Sequence, residues 1–305
     1  LKKFINGEIY ISTPYEEMIK DNLNIKLYKI THFFQWGTPE DYNEFVYNLN
    51  EINNIKEDKK INLENVNLVI PAAGEGSRFK EKNYKKPKIY LEIDKSPLII
   101  KIFNSFENQL NTRMLILDND FDKEIFLNKE IEFTKIHQKT DGQADSALLL
   151  IESIDNDNPI LIHSADCILD RSTEINIEEF DIVVYTKNNY RRAFSQQLNY
   201  GWVNSVNGSI KNLSIKSAPE TKESNVIIGS FLFKNKDLFK NLYEDTKKNV
   251  SHSPEIHIDH MVETAIKNGM KVKEQYSEKS SMLGTPVEYE LFNYMKKVDD
   301  YLEIE

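Results

Sequence analysis

Two rhythms of apolar and polar positions alternate along this chain. Short apolar runs of strand length recur at 67–71, 114–117, 131–136, 160–163, 181–185, 201–206 and 226–233. Between them lie stretches with apolar residues at helical spacing: 97–110, 143–151, 236–247 and 258–267. Pro97 stands in the first turn of its segment, where a missing N–H is tolerated. Strands alternating with helices predict an α/β domain of three layers, a mixed and mostly parallel sheet covered on both faces. In such sheets ligands sit beyond the carboxyl ends of the strands. A glycine loop follows the run at 67–71, and Asp166 follows the run at 160–163.

Composition narrows the function classes. The 305 residues are 40% hydrophobic and 29% charged, with a formal net charge of -10. A chain this acidic is no general binder of nucleic acid or anionic membrane. Its one cysteine, Cys167, excludes an internal disulfide, makes a cysteine-based zinc site untenable and fits a cytoplasmic setting. No apolar run approaches the roughly 18 to 20 residues that span a bilayer, so no membrane insertion is expected. The opening Leu1-Lys2-Lys3-Phe4 is no signal peptide and lacks an initiator Met, which suggests a piece of a longer protein.

The chain also repeats itself. Residues 7–45 match residues 254–292 without a gap, at a constant offset of 247. Glu8, Ile9, Ile11, Glu16, Ile19, Lys20, Lys26, Gly37, Thr38, Pro39, Tyr42 and Phe45 each meet an identical residue. The repeat predicts three parts. Residues 1–50 are the C-terminal remnant of a preceding similar domain, 51–65 a polar linker, and 66–305 a complete domain. The tandem arrangement belongs to the full-length protein.

The richest chemistry lies in PAAGEGSRFKEKNYKKPKIYLEI, residues 71–93. Gly74 and Gly76 let the backbone turn and approach a ligand closely. The amides of Ala72, Ala73, Gly74, Glu75, Gly76 and Ser77 can then cradle phosphate oxygens. Arg78 adds a guanidinium fork suited to phosphate. Lys86 and Lys88 bracket Pro87, which restricts the turn between them. A third glycine is missing, so this is not the dinucleotide fingerprint, and no Gly-Lys-Ser/Thr makes it a common P-loop. The competing reading is a surface turn with a solvated basic patch.

This loop, Gly-x-Gly-Ser-Arg followed by Lys-Pro-Lys, resembles the signature of the sugar-phosphate nucleotidyltransferases, including those of capsule and surface-polysaccharide synthesis. The resemblance continues through DGQADSALLL (141–150), ILIHSADCILD (160–170), NYGWVNSVNGSIKNLSIKS (199–217), VIIGSFLF (226–233) and Gly284-Thr285-Pro286. It implies a Rossmann-like nucleotidyltransferase domain. It implies transfer of a nucleoside monophosphate from an NTP to a phosphorylated small molecule, foremost a sugar 1-phosphate, with release of pyrophosphate. Nucleotide contacts fall on Ala72 to Arg78, Gln138, Gly142, Gln143 and Ala144, and acceptor contacts on Tyr200, Gly201, Lys216 and Gly229. Arg78, Lys88 and Asp166 are the implied catalytic residues. Mg²⁺ is the implied cofactor, on Asp166 and a second carboxylate. Many relatives place that carboxylate two residues before Gly-Thr-Pro, where this chain has Met282; Asp259 takes its place here, with a helix N-cap as the competing role. His257, Asp259 and His260 also look superficially like a zinc triad. Gln143 stands where Thr is usual, and Ile215 where Glu is usual. The opening loop equally resembles cytidylyltransferases of the methylerythritol-phosphate and phosphocholine types, which keeps a non-sugar phosphate or a polyol phosphate open as acceptor. A non-catalytic, nucleotide-binding regulatory domain is the reading of another class. The resemblance leaves open whether the protein is a homo-oligomer.

Overall fold

The structure, a computed structural model, describes residues 12–30, 33–188, 193, 195–249 and 255–302. Glu8, Ile9 and Ile11 of the repeat lie outside the described residues. The helices are α1 (Thr13–Lys20), α2 (Pro39–Lys56), α3 (Ser77–Glu81), α4 (Leu98–Phe103), α5 (Gln143–Ile151), α6 (Lys236–Asn249), α7 (Ile258–Lys267) and α8 (Pro286–Leu302). The strands of the main sheet are β1 (Asn67–Pro71), β2 (Asn111–Leu117), β3 (Glu132–Ile136), β4 (Ile160–His163), β5 (Ile182–Lys187), β6 (Gly201–Val206), β7 (Ser209–Ile215), β8 (Asn225–Phe233) and β9 (Val272–Tyr276).

The apolar strand runs are buried because helices cover both faces of the sheet. Leu68, Ile70, Met114, Ile116, Leu161, Val183 and Leu232 point to one face, where α2, α4 and α8 pack. Val69, Leu115, Ile160, Ile162, Ile182, Val184 and Phe231 point to the other, under α5, α6 and α7. Successive residues of one strand thus feed two separate cores, as a pleat of period two requires.

The sheet is less parallel than expected. β4, β1, β2 and β3 run parallel, in that order, and β5 pairs parallel with β9. β8 joins the two groups antiparallel, pairing with β4 on one side and β5 on the other. The hairpin β6–β7 is antiparallel and hangs on the end of β8. Asn207 and Gly208, both at positive φ, supply the two-residue turn that a hairpin needs, and two strands so joined must be antiparallel.

Helix α2 begins on a capping box. Thr38 Oγ1 accepts from the Asp41 N–H, Asp41 Oδ2 accepts from the Thr38 N–H, each at 3.2 Å, and Pro39 follows the cap. It then runs to Lys56, into the stretch expected to be a linker. Ile52 and Ile55 are buried in the core beside α8, and Asn54 donates to the Leu169 carbonyl (3.0 Å) and accepts from the Arg171 N–H (2.7 Å). Beyond it Ile61–Asn62 pairs with Phe106–Glu107, and Leu63 is fully buried. Residues 45–63 therefore pack against and pair with elements of the main fold. That same pairing shortens the helix expected at 97–110, which ends at Phe103.

Candidate functional site

The glycine loop leaves the carboxyl end of β1, in the middle of the parallel strands. The amides of Ala73, Gly74, Glu75 and Gly76 donate to no other described residue. Gly76, at φ +62°, caps α3 and turns the chain so that Arg78 faces the site. Ala72, Gly74, Glu75, Gly76 and Lys88 wall a cavity of about 120 Å³ together with Lys80, Lys85 and Lys86. The donors and cations are those an anion needs.

Asp166 sits just past β4, held by a buried brace. His163 Nε2–H donates to the Cys167 carbonyl (2.9 Å), so its Nδ1 accepts from the Ser230 hydroxyl (2.7 Å). Burial pushes this imidazole down to about 4, which keeps it neutral. Asp166 Oδ2 accepts from Lys88 Nζ at 2.6 Å, and Oδ1 from the Ser164 hydroxyl. Burial would raise the Asp166 carboxyl; Lys88 and Ser164 outweigh it and hold the group below its ordinary value. Gly229, at φ +82°, lets β8 pass Ser164: a Cβ there would lie 2.9 Å from the Ser164 Cβ.

A second cavity of about 200 Å³ opens around Asp166. Arg78, Gln143, Tyr200, Gly201, Lys216, Gly229 and Asp259, all expected from the sequence, line it with Asp166. Arg78 Nη2 donates to Asn199 Oδ1 (3.4 Å). Asp259 does not cap α7; His257 does, and the His257 N–H donates to His260 Nδ1 (3.1 Å). The Asp259 carboxylate instead reaches Gly201, where a Cβ would stand 2.6 Å from Oδ2. Burial raises its carboxyl to about 6, against an opposing pull from Lys216. Burial, then Lys216 and His260, push His257 down to about 4. No group of three or more His, Cys, Asp or Glu is arranged for a metal among the described residues, which removes the zinc triad. Asp166 and Asp259 are two carboxylates on one cavity, a number that could hold a Mg²⁺ ion whose other ligands are phosphates and water.

Several of the expected residues lie off both cavities. Ala73 and Ala144 are buried in the core, Gln138 is exposed, Ser77 opens α3, and Gly142 packs against Ile256. None of these five lines either cavity. Lys86, at the rim, also pairs with Glu92 at 2.9 Å. Among the residues not singled out for the site, Ser164, Asn199 and Glu288 bring polar groups to the cavity. Glu288 is buried, accepts from the Tyr200 hydroxyl (2.7 Å), and accepts from the Thr285 N–H (2.8 Å). The Thr-x-x-Glu spacing at 285–288 is a capping-box pattern that was open to reading from sequence. The Gly-Thr-Pro turn is tied to the site by Leu283 N–H, which donates to the Asp166 carbonyl at 2.8 Å.

No protein-family model matches this sequence, and no curated protein matches it. Solved structures do match, along nearly their whole length. One is a nucleoside-diphosphate-sugar pyrophosphorylase from Vibrio cholerae RC9, at TM-score 0.60 and 19% identity, covering 74% of this chain and 98% of that one. The fold is a nucleotidyltransferase fold. An inositol-1-phosphate CTP transferase from T. maritima matches at TM-score 0.58 and 16% identity, covering 77% of this chain and 96% of that one. A CTP:phosphocholine cytidylyltransferase from Streptococcus pneumoniae matches at TM-score 0.55 and 15% identity, covering 77% and 99%. Among the described residues of this nucleotidyltransferase fold, no helix is long and apolar enough to cross a membrane.

Proposed function

We propose that the domain transfers a nucleoside monophosphate from an NTP to a phosphorylated small molecule, foremost a sugar 1-phosphate, and releases pyrophosphate. One observation carries the reading. Lys88 and Asp166, in contact at 2.6 Å, join a cavity walled by free amides and lysines to a cavity walled by Lys216, Tyr200 and Asp259. A triphosphate tail suits the first and an acceptor the second.

In this reading the loop amides and Arg78 hold the β- and γ-phosphates. Lys88 neutralises charge where the two anions meet. Lys216 pairs with the acceptor phosphate, whose oxygen attacks the α-phosphorus in line. The bond from that phosphorus to the bridging oxygen breaks, and pyrophosphate leaves. An acceptor phosphate is already anionic, so no general base is required; positioning and charge neutralisation supply the rate. Asp166, with Asp259 as the second carboxylate, would hold Mg²⁺, which supplies further charge neutralisation on phosphate oxygens.

Asn199, His257 and Asp259 offer the acceptor hydrogen-bonding groups of the kind sugar hydroxyls use. A quaternary amine prefers aromatic faces, and the Tyr200 ring is buried with its hydroxyl on Glu288. The test is pyrophosphate release from CTP, UTP, GTP and dTTP, each with phosphosugars, glycerol phosphate, inositol phosphate and phosphocholine. Release with a sugar 1-phosphate is expected. Release with phosphocholine or a polyol phosphate alone would move the acceptor class. Nucleotide binding without release under any pairing would favour a regulatory domain.

A further inference from the structure

The repeat of 247 residues is written into the backbone as well as the sequence. At the end of α7, Asn268 N–H donates to the Thr264 carbonyl (2.9 Å), Gly269 N–H to Ile266 (3.0 Å) and Met270 N–H to Ala265 (3.0 Å), with Gly269 at φ +76°. At the end of α1, Asp21 N–H donates to Glu17 (2.9 Å), Asn22 N–H to Ile19 (3.1 Å) and Leu23 N–H to Met18 (2.9 Å), with Asn22 at φ +58°. Every bond falls one repeat from its counterpart. Further on, α8 opens at Pro286 behind the Thr285–Glu288 box, and α2 opens at Pro39 behind the Thr38–Asp41 box.

The surroundings of the two copies differ. β9 pairs parallel with β5 along its length. Its counterpart, 25–29, carries no strand pairing among the described residues. Leu27, Tyr28, Ile30, Phe33 and Trp36, on and after it, are each more than half exposed. Single exposed apolar residues are ordinary, but a row of them on and after an unpaired stretch whose counterpart is a strand marks a surface that a partner covers. In the complete domain Met282, Gly284, Thr285 and Glu288 wall the cavity around Asp166. Their counterparts are Gln35, Gly37, Thr38 and Asp41. Gln35, Thr38 and Asp41 line an open cavity of about 820 Å³ that Asn188 and Glu278 also border, with no glycine loop among its walls.

We infer that residues 12–56 are the closing part of a second nucleotidyltransferase fold, whose earlier part precedes them in the same polypeptide, pairs a strand with 25–29 and completes a second nucleotide site against Gln35–Asp41. The packing fits two such folds about an approximate two-fold axis. The counterpart helices α2 and α8 pack on each other. Phe34 stacks on Tyr294, at 5.2 Å between ring centroids. With roles exchanged, Tyr47, the counterpart of Tyr294, lies under Lys187 Nζ (4.4 Å), which also bonds the Ser280 carbonyl next to Ser281, the counterpart of Phe34. Docking of the second fold rests on this geometry; nucleotide binding at its site rests on the transfer reading above.

The test sets the natural polypeptide containing these residues beside the 305-residue chain. Its coding sequence should hold a glycine loop and a strand-end Asp one repeat length upstream of Gly76 and Asp166. Trp36 is exposed and Trp202 buried, and these are the two tryptophans. Acrylamide should therefore quench a large share of the emission of the 305-residue chain, and that share should vanish in the longer one. Equilibrium dialysis with labelled CTP or UTP should find two nucleotides per longer chain and one per 305-residue chain, and Lys88→Ala should remove one. Unrelated sequence upstream, or Trp36 equally quenched in both, overturns the inference. So does Trp36 shielding in the 305-residue chain that grows with its concentration, since a second copy of this chain would then be the cover. Lost quenching with one nucleotide bound retains the docking and overturns the second site. Nucleotide bound to neither chain counts against the transfer reading, and quenching alone then decides the docking.

Discussion

At the scale of single residues, the proposed transfer turns on Lys88 and Asp166. Each lines one of the two cavities, and their contact at 2.6 Å is the junction. If Lys88 neutralises charge where two phosphates meet, Lys88→Ala should lower the rate of pyrophosphate release by about 100-fold or more, the usual cost of losing one preorganised charge donor. Asp166→Asn should do the same in a protein that still folds. Near-normal rates in either folded variant would remove the junction from the mechanism. Glu51 and Lys187 give a second test away from the chemistry. Lys187 is fully buried, and its Nζ lies 2.6 Å from Glu51 Oε1. Glu51→Ala removes the Glu51 carboxylate from that ammonium and should cost about 3 to 5 kcal/mol in urea unfolding. Adding Lys187→Met should recover most of the loss; a cost below about 1 kcal/mol for the single change would mean the pair does not tie α2 to the domain.

At the scale of elements, β4 and its brace carry a pH dependence. His163 has a folded value near 4 against an ordinary 6.5. A depressed folded value means stability fully present above about 6.5 and lost as pH falls toward 4, up to about 3 kcal/mol for this group. Asp259 works in the opposite sense: raised from 3.8 to about 6, its contribution is present below 3.8 and lost as pH rises through 6. Replacing His163 by Gln should flatten the acid limb of stability between 6.5 and 4, measured by urea unfolding at several pH values; an unchanged slope would contradict the buried neutral imidazole. The elements themselves were unevenly legible. α5, α7, β1, β4 and β6 coincide with their sequence ranges because strong apolar runs end at clear stops. β7 and β9 escaped notice because SIKNLSI and VKEQY are rich in charged, amide and hydroxyl residues and hold no sustained apolar run. The tail of α2 was hidden by its asparagines, although Phe45, Ile52 and Ile55 keep a helical spacing. The apolar spacing of 97–110 continued past Phe103 and concealed a short strand at Phe106–Glu107.

At the scale of the whole molecule, residues as far apart in sequence as Arg78 and Glu288 line one cavity. The glycine loop and Asp166 were placed by a simple rule, strand ends in an α/β sheet. Lys216, Asp259 and Tyr200 reach the same cavity through the β6–β7 hairpin and α7, and only the resemblance, not any local pattern, had pointed to Tyr200 and Lys216. Glu288 was missed because its role depends on Tyr200, far away in sequence. The proposed transfer requires one nucleotide to span the two cavities. A crystal structure with an unhydrolysed NTP analogue and Mg²⁺ measures this most directly. The account predicts the β- and γ-phosphates on the amides of Gly74, Glu75 and Gly76 and the α-phosphate between Lys88 and Asp166. A nucleotide bound elsewhere, or a triphosphate on the loop with its α-phosphate out of reach of Asp166, would contradict it.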